Sequence, residues 1–235
     1  MGRSSTSTAA PSCAEMTSST PRRRDGDQRR RELGDAGIRV LAEHGSRGLT
    51  HAQVDRYAGV PDGTTSYYFR TRDALLRGVG NRVAEIDSAN MLSVTDTPID
   101  ARHPFDRLAQ LTLDQADGSG LALNRARHEL LLCASRDPDL AEPSQAAVTR
   151  IGAMCGEAIA HLRPSVDAEL LDAQTTAVMT FMAGVFIRLA AGESALYDVP
   201  GLSATLEAVA GAVGRPATSD RSAESRTTTR SATHR

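Results

Sequence analysis

Apolar residues recur along most of the chain with the three- and four-residue spacing of amphipathic helices. The first such stripe predicts a helix over residues 27–45, which ends where a glycine suits a C-cap. Two short helices are predicted at 50–58 and 64–69, and Thr50 stands where the N-cap of the first of them belongs. Gly59 allows a left-handed turn between them. Two short helices joined by a tight glycine-containing turn predict a helix-turn-helix.

A fourth helix is predicted to begin after Thr71 and to connect this motif to a larger helical region. Aromatic residues make up 3% of the sequence and Trp is absent, which favours helix-on-helix contacts over a sheet. The predicted fold class is therefore all-α, with an N-terminal three-helix helix-turn-helix domain at 27–72 and a C-terminal helical domain at 73–214. Further helices are predicted at about 104–117, 122–135, 140–161, 166–191 and 202–213.

Both ends of the chain have a different composition. Residues 1–26 and 215–235 are rich in Ser, Thr, Ala and Arg and lack periodic apolar positions. Such segments cannot offset the entropy of ordering by burial, so we expect two disordered tails. The arginines at 22–24 and 29–31 make the N-terminal edge basic, which fits either an arm that contacts phosphates or the minor groove, or a solubilising tail.

Charge is unevenly distributed along the chain. Residues 22–82 contain thirteen Arg and eight acidic residues, a net charge of +5, whereas residues 83–214 contain eight Arg and eighteen acidic residues, a net charge of −10. A basic module on an acidic body is expected where only the module approaches a polyanion such as nucleic acid.

Three cysteines, Cys13, Cys133 and Cys155, are far apart and lack the spacing of metal ligands, so we expect reduced thiols and no metal site. No uninterrupted apolar run reaches the roughly 18 residues of a membrane span, and the N-terminus lacks the apolar stretch of a signal peptide. We therefore expect a cytoplasmic protein without a membrane partner.

The third predicted helix carries the most informative polar surface of the chain. Helical spacing turns Thr65 and Phe69 inward against the first two helices and leaves hydrogen-bonding side chains on the outer face. Two arginines follow, so this surface can reach both base edges and phosphate oxygens of DNA. The outward-facing residues are Thr64, Tyr67, Tyr68, Arg70 and Arg72.

From about Leu33 to Leu76, the motifs Ala58-Gly59-Val60, Gly63-Thr64, Tyr67-Tyr68-Phe69 and Arg72-Asp73-Ala74-Leu75-Leu76 occur together with Ala36, Leu41, Gly45, Thr50 and Val54. In this combination the chain resembles the TetR family of bacterial transcriptional regulators. The resemblance implies that Thr50 and Arg72 hold phosphates and that Thr64, Tyr67 and Tyr68 enter the major groove or line it. Arg47, His51 and Arg70 complete the predicted DNA-binding set, and His51 is either solvated or in contact with DNA.

Four residues depart from the common pattern of that family and leave the operator sequence unpredicted: Ala52, Asp55, Asp62 and Ser66. Asp55 is expected to pair with Arg56 or Arg47. Asp62 is expected to cap the recognition helix.

The helix predicted at 166–191 is apolar over too much of its circumference for one neighbour. With the helix at 202–213 it can form a four-helix bundle across a two-fold axis, which predicts a homodimer suited to a palindromic operator. Burial of the same faces within one chain is the alternative.

An effector pocket is expected among the helices between Pro104 and Leu189, with adaptable apolar walls. Arg127 shares a helical face with leucines, so its guanidinium needs either an acidic partner in a structural ion pair or an effector. His128 and Glu129 are neighbouring polar candidates. The predicted effector-binding residues are Phe105, Arg127, His128, Met154, Met179, Met182 and Phe186.

These features favour a repressor that a small-molecule effector releases from palindromic operator DNA. The alternative is a helical ligand-binding or scaffold dimer with weak or lost DNA binding, which Asp55 and Asp62 make conceivable. The sequence contains no catalytic, metal-binding or phosphate-loop motif, so we expect neither an enzyme nor a cofactor.

Overall fold

The structure is a computed structural model that describes residues 21–95, 99–135, 141–194 and 197–214. The described residues form nine helices and no strand, which confirms the predicted all-α fold. The helices are α1 (Pro21–Gly48), α2 (His51–Ala58), α3 (Thr64–Tyr68), α4 (Arg72–Thr95), α5 (Asp106–Leu113), α6 (Gly118–Ala134), α7 (Ala141–Leu162), α8 (Ala168–Ala190) and α9 (Val199–Ala212).

The start of α1 differs from the prediction. The helix begins at Pro21 rather than at residue 27, so the arginines at 22–24 lie on a helix that continues into the domain. Proline suits the first turn of a helix and Arg is a good helix former, whereas the prediction relied on apolar burial alone. The remaining predicted tail segments, 1–20 and 215–235, lie outside the described residues.

The start of α9 also lies earlier than predicted, at Val199 rather than at 202. Asp198 caps this helix, because its carboxylate accepts a hydrogen bond from the Gly201 amide at 2.9 Å, and Pro200 lies in the first turn. The four-residue sequence from Asp198 onward thus contains a start motif that a purely hydrophobic pattern does not register.

The first hydrophobic core lies among α1, α2, α3 and the first half of α4, and α6 closes it. The stripe predicted for α1 is buried, as are the apolar positions that face it from the other helices. Fully buried members are Leu33, Ala36, Val40, Leu41, Leu49, Val54, Leu75, Val79 and Ala126.

A second core lies among α5, α7, α8, α9 and the end of α4. Phe105, Val178, Leu202 and Leu206 are fully buried members of it. Cys155 also lies in this core, and burial raises the pKa of its thiol to about 12. Because α4 contributes to both cores, no single residue of α4 separates the two units, and the boundary at 72/73 stays a prediction.

Among the described residues, α8 is long and apolar enough by length and composition to span a membrane, with a mean hydropathy of 1.4 over an 18-residue window. The sequence-based expectation counted uninterrupted apolar runs, whereas this window tolerates scattered polar residues. Only 17% of the window is buried within the chain. Ile187, for example, is 55% exposed, so part of this apolar helix has no neighbour within the described residues.

Gly37 allows α1 to pack closely against α4. A Cβ on Gly37 would lie 2.3 Å from Val79 Cγ2, so Gly37→Ala forces the helices apart and should destabilise the protein by about 1–3 kcal/mol. Gly80→Ala is the matched control, since its Cβ would meet Leu130 Cδ2 at 3.9 Å. It should be neutral or stabilising by up to about 1 kcal/mol through helix propensity. Urea unfolding followed by circular dichroism measures both, and equal effects would contradict the close approach.

Candidate DNA-binding surface and ligand cavity

A turn with two left-handed glycines connects α2 to α3. Gly59 ends α2 with φ 65° and ψ 33°, and Gly63 precedes α3 with φ 88°. The Gly59 and Val60 amides donate to the carbonyls of Arg56 and Asp55, which closes the end of α2. Positive φ values at both glycines turn the chain sharply enough for α3 to lie across α2. The predicted helix-turn-helix is therefore present.

Asp55 holds the start of α3. Its side chain is 1% exposed and accepts hydrogen bonds from the Gly63 amide at 2.8 Å, from the Thr65 amide at 2.7 Å and from the Thr65 hydroxyl. Amides at the beginning of a helix have no partner within the helix, so this carboxylate supplies the cap from the preceding helix.

Two predictions about the acidic residues were therefore wrong. Asp55 pairs with the start of α3 rather than with Arg56 or Arg47. Asp62 is exposed and does not cap α3, because the N-cap residue of α3 is Gly63 and no side chain caps it there. The bond between Asp55 and Thr65 spans ten residues across the turn, so sequence neighbours gave no indication of it.

Thr65, Phe69 and Tyr67 face as predicted, whereas Tyr68, expected on the outer face, packs partly against the first core. Thr65 is fully buried and Phe69 is 9% exposed, whereas Tyr67 is 76% exposed on the outer face. Tyr68 is half-buried against the first core, and its ring lies 5.4 Å from the Arg30 guanidinium carbon. Tyr67 is thus the large side chain that α3 presents most openly to solvent.

Three of the predicted contact residues have a structural role. Thr50 caps α2, because its hydroxyl accepts from the Gln53 amide at 3.2 Å. The Thr64 hydroxyl donates to the Pro61 carbonyl at 2.6 Å, which leaves its oxygen lone pairs as the available acceptor. His51 Nε2 lies 2.7 Å from the Phe69 carbonyl oxygen, and since a carbonyl only accepts, this ring nitrogen donates. His51 therefore joins the start of α2 to the end of α3.

Exposed arginines flank this surface at Arg47, Arg70 and Arg72. Arg72 donates to the Ser46 carbonyl, beside the break that Gly45 makes in α1 with φ 65°. The Ser46 amide donates to Glu129 of α6 at 2.7 Å. The amide and the carbonyl of Ser46 are thus both bound by side chains from other helices, Glu129 of α6 and Arg72 of α4.

A cavity of about 250 Å³ lies between the second half of α4 and helices α5, α6, α7 and α8. Its walls are mostly apolar, and a few polar side chains lie together on α4 and α6. Arg127, His128, Met182 and Phe186, four of the seven predicted effector residues, line it. Phe105, Met154 and Met179 lie in the second core or against it, and the structure does not place them among the lining residues.

Arg127 has the acidic partner that one prediction required. Its Nε lies 3.1 and 3.0 Å from the two carboxylate oxygens of Asp87, its Nη2 also donates to Asp87, and its Nη1 donates to Gln115 at 2.7 Å. Asp87 was missed because it precedes the expected pocket region, 40 residues from Arg127. Gln115 was missed because it lies just after the end of α5, 12 residues from Arg127. The available indication was the position of Asp87 four residues from Val83 and four from Met91, apolar residues on the same face of α4.

Two hydrogen bonds of the Tyr57 hydroxyl join α2 to α1. Tyr57 donates to Glu43 at 2.6 Å, and this hydrogen bond raises the pKa of Tyr57, with desolvation a smaller cause. His44 Nε2 lies 2.8 Å from the same hydroxyl. These contacts fasten α2 to the end of α1.

The capping role of Asp55 yields a second prediction. Asp55→Ala leaves two amides and a hydroxyl without their acceptor and should lower the free energy of unfolding by roughly 2–4 kcal/mol. Asp62→Ala removes a neighbouring carboxylate that is exposed and should change stability by less than about 0.5 kcal/mol. Chemical denaturation compares the two variants, and similar losses would show that the cap belongs to Asp62 or to neither residue.

Residues 33–79 match the family model described as bacterial regulatory proteins, tetR family. No curated protein gives a significant match to the chain.

Several solved structures share the fold over most of this chain. A TetR-family transcriptional regulator from Rhodococcus sp. is 21% identical, with a TM-score of 0.59 over 78% of this chain and 97% of its own. A transcriptional regulator from Saccharomonospora viridis in complex with choline is 17% identical, with a TM-score of 0.63 over 77% and 95%. The multidrug binding protein EbrR complexed with ethidium is 24% identical, with a TM-score of 0.55 over 77% and 98%. Residues 33–79 thus match the TetR family model, and the chain shares the fold of a solved TetR-family regulator over most of its length.

Proposed function

We propose that the chain is a cytoplasmic, dimeric transcriptional repressor that binds a palindromic operator and is released by a small-molecule effector. In this proposal residues 27–72 bind DNA, and residues 73–214 bind the effector and form the dimer. The observation that carries the proposal is the recognition helix α3, which Asp55 holds at its start and which presents Tyr67 to solvent.

DNA binding is proposed to combine base contacts with phosphate contacts. Tyr67 is the foremost candidate for base contact, while Thr64 can accept from a base or phosphate-bound water and Tyr68 can line the groove. Arg47, Arg70 and Arg72 supply the charge for phosphates, and Thr50 and His51 lie at the start of α2. The net charge of +5 over residues 22–82 favours approach to a polyanion.

The position of Asp55 does not support the alternative function, a helical dimer that has lost DNA binding. That alternative rested on acidic residues at the DNA-facing side, but the Asp55 carboxylate is buried and faces the amides of its own motif. Its charge therefore organises α3 rather than opposing phosphate.

Dimerisation is proposed through α8 and α9. α8 is apolar over most of its length, yet only 17% of its most apolar window is buried within the chain. Pairing the exposed face around Ile187 with its copy across a two-fold axis would remove this surface from water. The same axis would set two recognition helices about one DNA turn, roughly 35 Å, apart.

Effector release is proposed to act through α6. This helix lines the cavity with Arg127 and His128, and its next residue, Glu129, holds the Ser46 amide beside the helix-turn-helix. An effector that binds better when α6 has shifted would favour a state in which α2 and α3 are misplaced for DNA. The neighbours with choline and ethidium bound support small-molecule binding within this fold.

DNA binding is tested with a fragment from the region upstream of the protein's own gene, in a titration followed by fluorescence anisotropy. Tyr67→Ala should weaken specific binding by roughly tenfold or more, because it removes a candidate base contact. Arg70→Ala should weaken binding to all sequences and reduce the slope of log affinity against log salt by about 1.

Arg150→Ala, which removes an exposed charge on α7, is the control and should leave both affinity and salt slope unchanged. If Tyr67→Ala and Arg70→Ala bind as the unaltered chain does, the assigned surface is wrong. If the unaltered chain shows no salt-dependent binding to any such fragment, the repressor proposal fails.

The dimer is tested by sedimentation. Ile187→Glu places a carboxylate on the exposed face of α8 and should convert the dimer to monomers, with loss of operator affinity, because charges at an interface core are costly to desolvate. Leu132→Glu changes a residue that is 66% exposed on α6 and should leave the dimer intact. A monomeric unaltered chain, or dissociation by both variants alike, would contradict the proposed interface.

A further inference from the structure

We propose that the cavity takes an uncharged, mostly apolar ligand that donates one hydrogen bond from a hydroxyl or N–H group, such as a phenol or an alcohol. The inference rests on the proposed function of this cavity as the effector site. It goes beyond it by assigning the chemical class of the ligand from the polar groups of the wall.

The charged groups of the cavity wall form a pair. The two ionic groups of the wall, Asp87 and Arg127, neutralise each other through several hydrogen bonds, and Gln115 accepts a further one from Arg127. Asp87 is 9% exposed and the Arg127 side chain is 29% exposed, so the pair is partly buried. A cationic ligand would have to compete with Arg127 and an anionic one with Asp87. Removing one partner of a buried ion pair leaves an uncompensated charge, and this disfavours both classes.

Two polar side chains of the wall form hydrogen bonds within the chain. The Asn124 amide nitrogen donates to the Phe186 carbonyl at 2.9 Å, which orients the amide group. His128 Nδ1 lies 2.9 Å from the Asn124 backbone carbonyl oxygen, and since that oxygen only accepts, Nδ1 carries the proton.

Two acceptors remain on these two side chains, in addition to the second N–H of the Asn124 amide. In the neutral imidazole, Nε2 of His128 carries a lone pair, and it has no partner among the described residues, as is also true of the Asn124 amide oxygen. Both residues line the cavity. A ligand that donates a hydrogen bond gives one of these acceptors a partner, whereas an ether or ketone of the same shape leaves both without one.

The cavity also restricts the size and shape of the ligand. A volume of about 250 Å³ restricts the ligand to a small molecule. Met91, Met182 and Phe186 provide two flexible thioethers and a ring in the wall, and sulfur against an aromatic edge is a favourable contact. An aromatic ring with one hydroxyl group combines the required apolar body and donor.

The test is a calorimetric titration of the full chain with four compounds that share one ring: 4-methylphenol, 4-methylanisole, 4-methylbenzoate and trimethyl-(4-methylphenyl)ammonium. The phenol should bind the unaltered chain at least about tenfold more tightly than each of the others. The ether tests the donor, and the two ions test the charge.

Charge variants provide the matched comparison. Arg127→Gln leaves Asp87 without its partner and should shift the preference to the ammonium compound, and Asp87→Asn should shift it to the carboxylate. The double variant carrying both changes has no unpaired charge and should keep the preference for the phenol. It tests the same point if a single variant does not fold, as judged by its thermal unfolding.

The outcomes separate this inference from the proposed function. If an ion binds the unaltered chain best and releases the upstream DNA fragment, the cavity is an effector site but the ligand class is wrong. Equal binding of phenol and ether overturns the donor. If none of the four compounds binds, both the ligand class and the role of the cavity fail.

Discussion

The orientation of α3 depends on one buried carboxylate. A helix of five residues makes too few internal hydrogen bonds to hold its own direction, so its position must come from outside. Asp55 provides this by accepting from two amides at the start of α3, while the ring of Phe69 and the buried Thr65 fix the inner face. The exposure of Tyr67 on the opposite face follows from these contacts. The surface proposed to meet DNA is therefore set by groups that DNA does not touch.

The fold was predictable where its determinants are local. The apolar stripe of α1, the Thr50 cap and the inward direction of Thr65 and Phe69 depend on spacings of three or four residues, which a sequence displays directly. The contacts that shape the two sites are not local. The bond from Glu129 to Ser46 spans 83 residues, and the pair of Arg127 and Asp87 spans 40. Such pairs become visible only when the helices are in place.

Asp55 illustrates the difference at a single position. By residue type alone an acidic side chain in the second helix of a DNA-binding motif counts against phosphate contact, and the expected partners were the nearest arginines. Its burial reverses the conclusion, because a charge turned toward helix amides contributes stability rather than repulsion at the surface. His51 and Thr64 likewise have backbone partners within the motif, so only their remaining polar atoms are available to DNA.

Ser46 connects α6, a helix of the cavity wall, to the start of α4. Its amide is held by Glu129 of α6, and its carbonyl accepts from Arg72 at the start of α4. A guanidinium has five N–H groups, so Arg72 can keep this bond and still bind a phosphate. A shift of α6 that withdraws Glu129 would move the Ser46 peptide and, with it, the anchor of Arg72. The cavity wall and the arginine proposed to bind phosphate would then respond together through the Ser46 peptide.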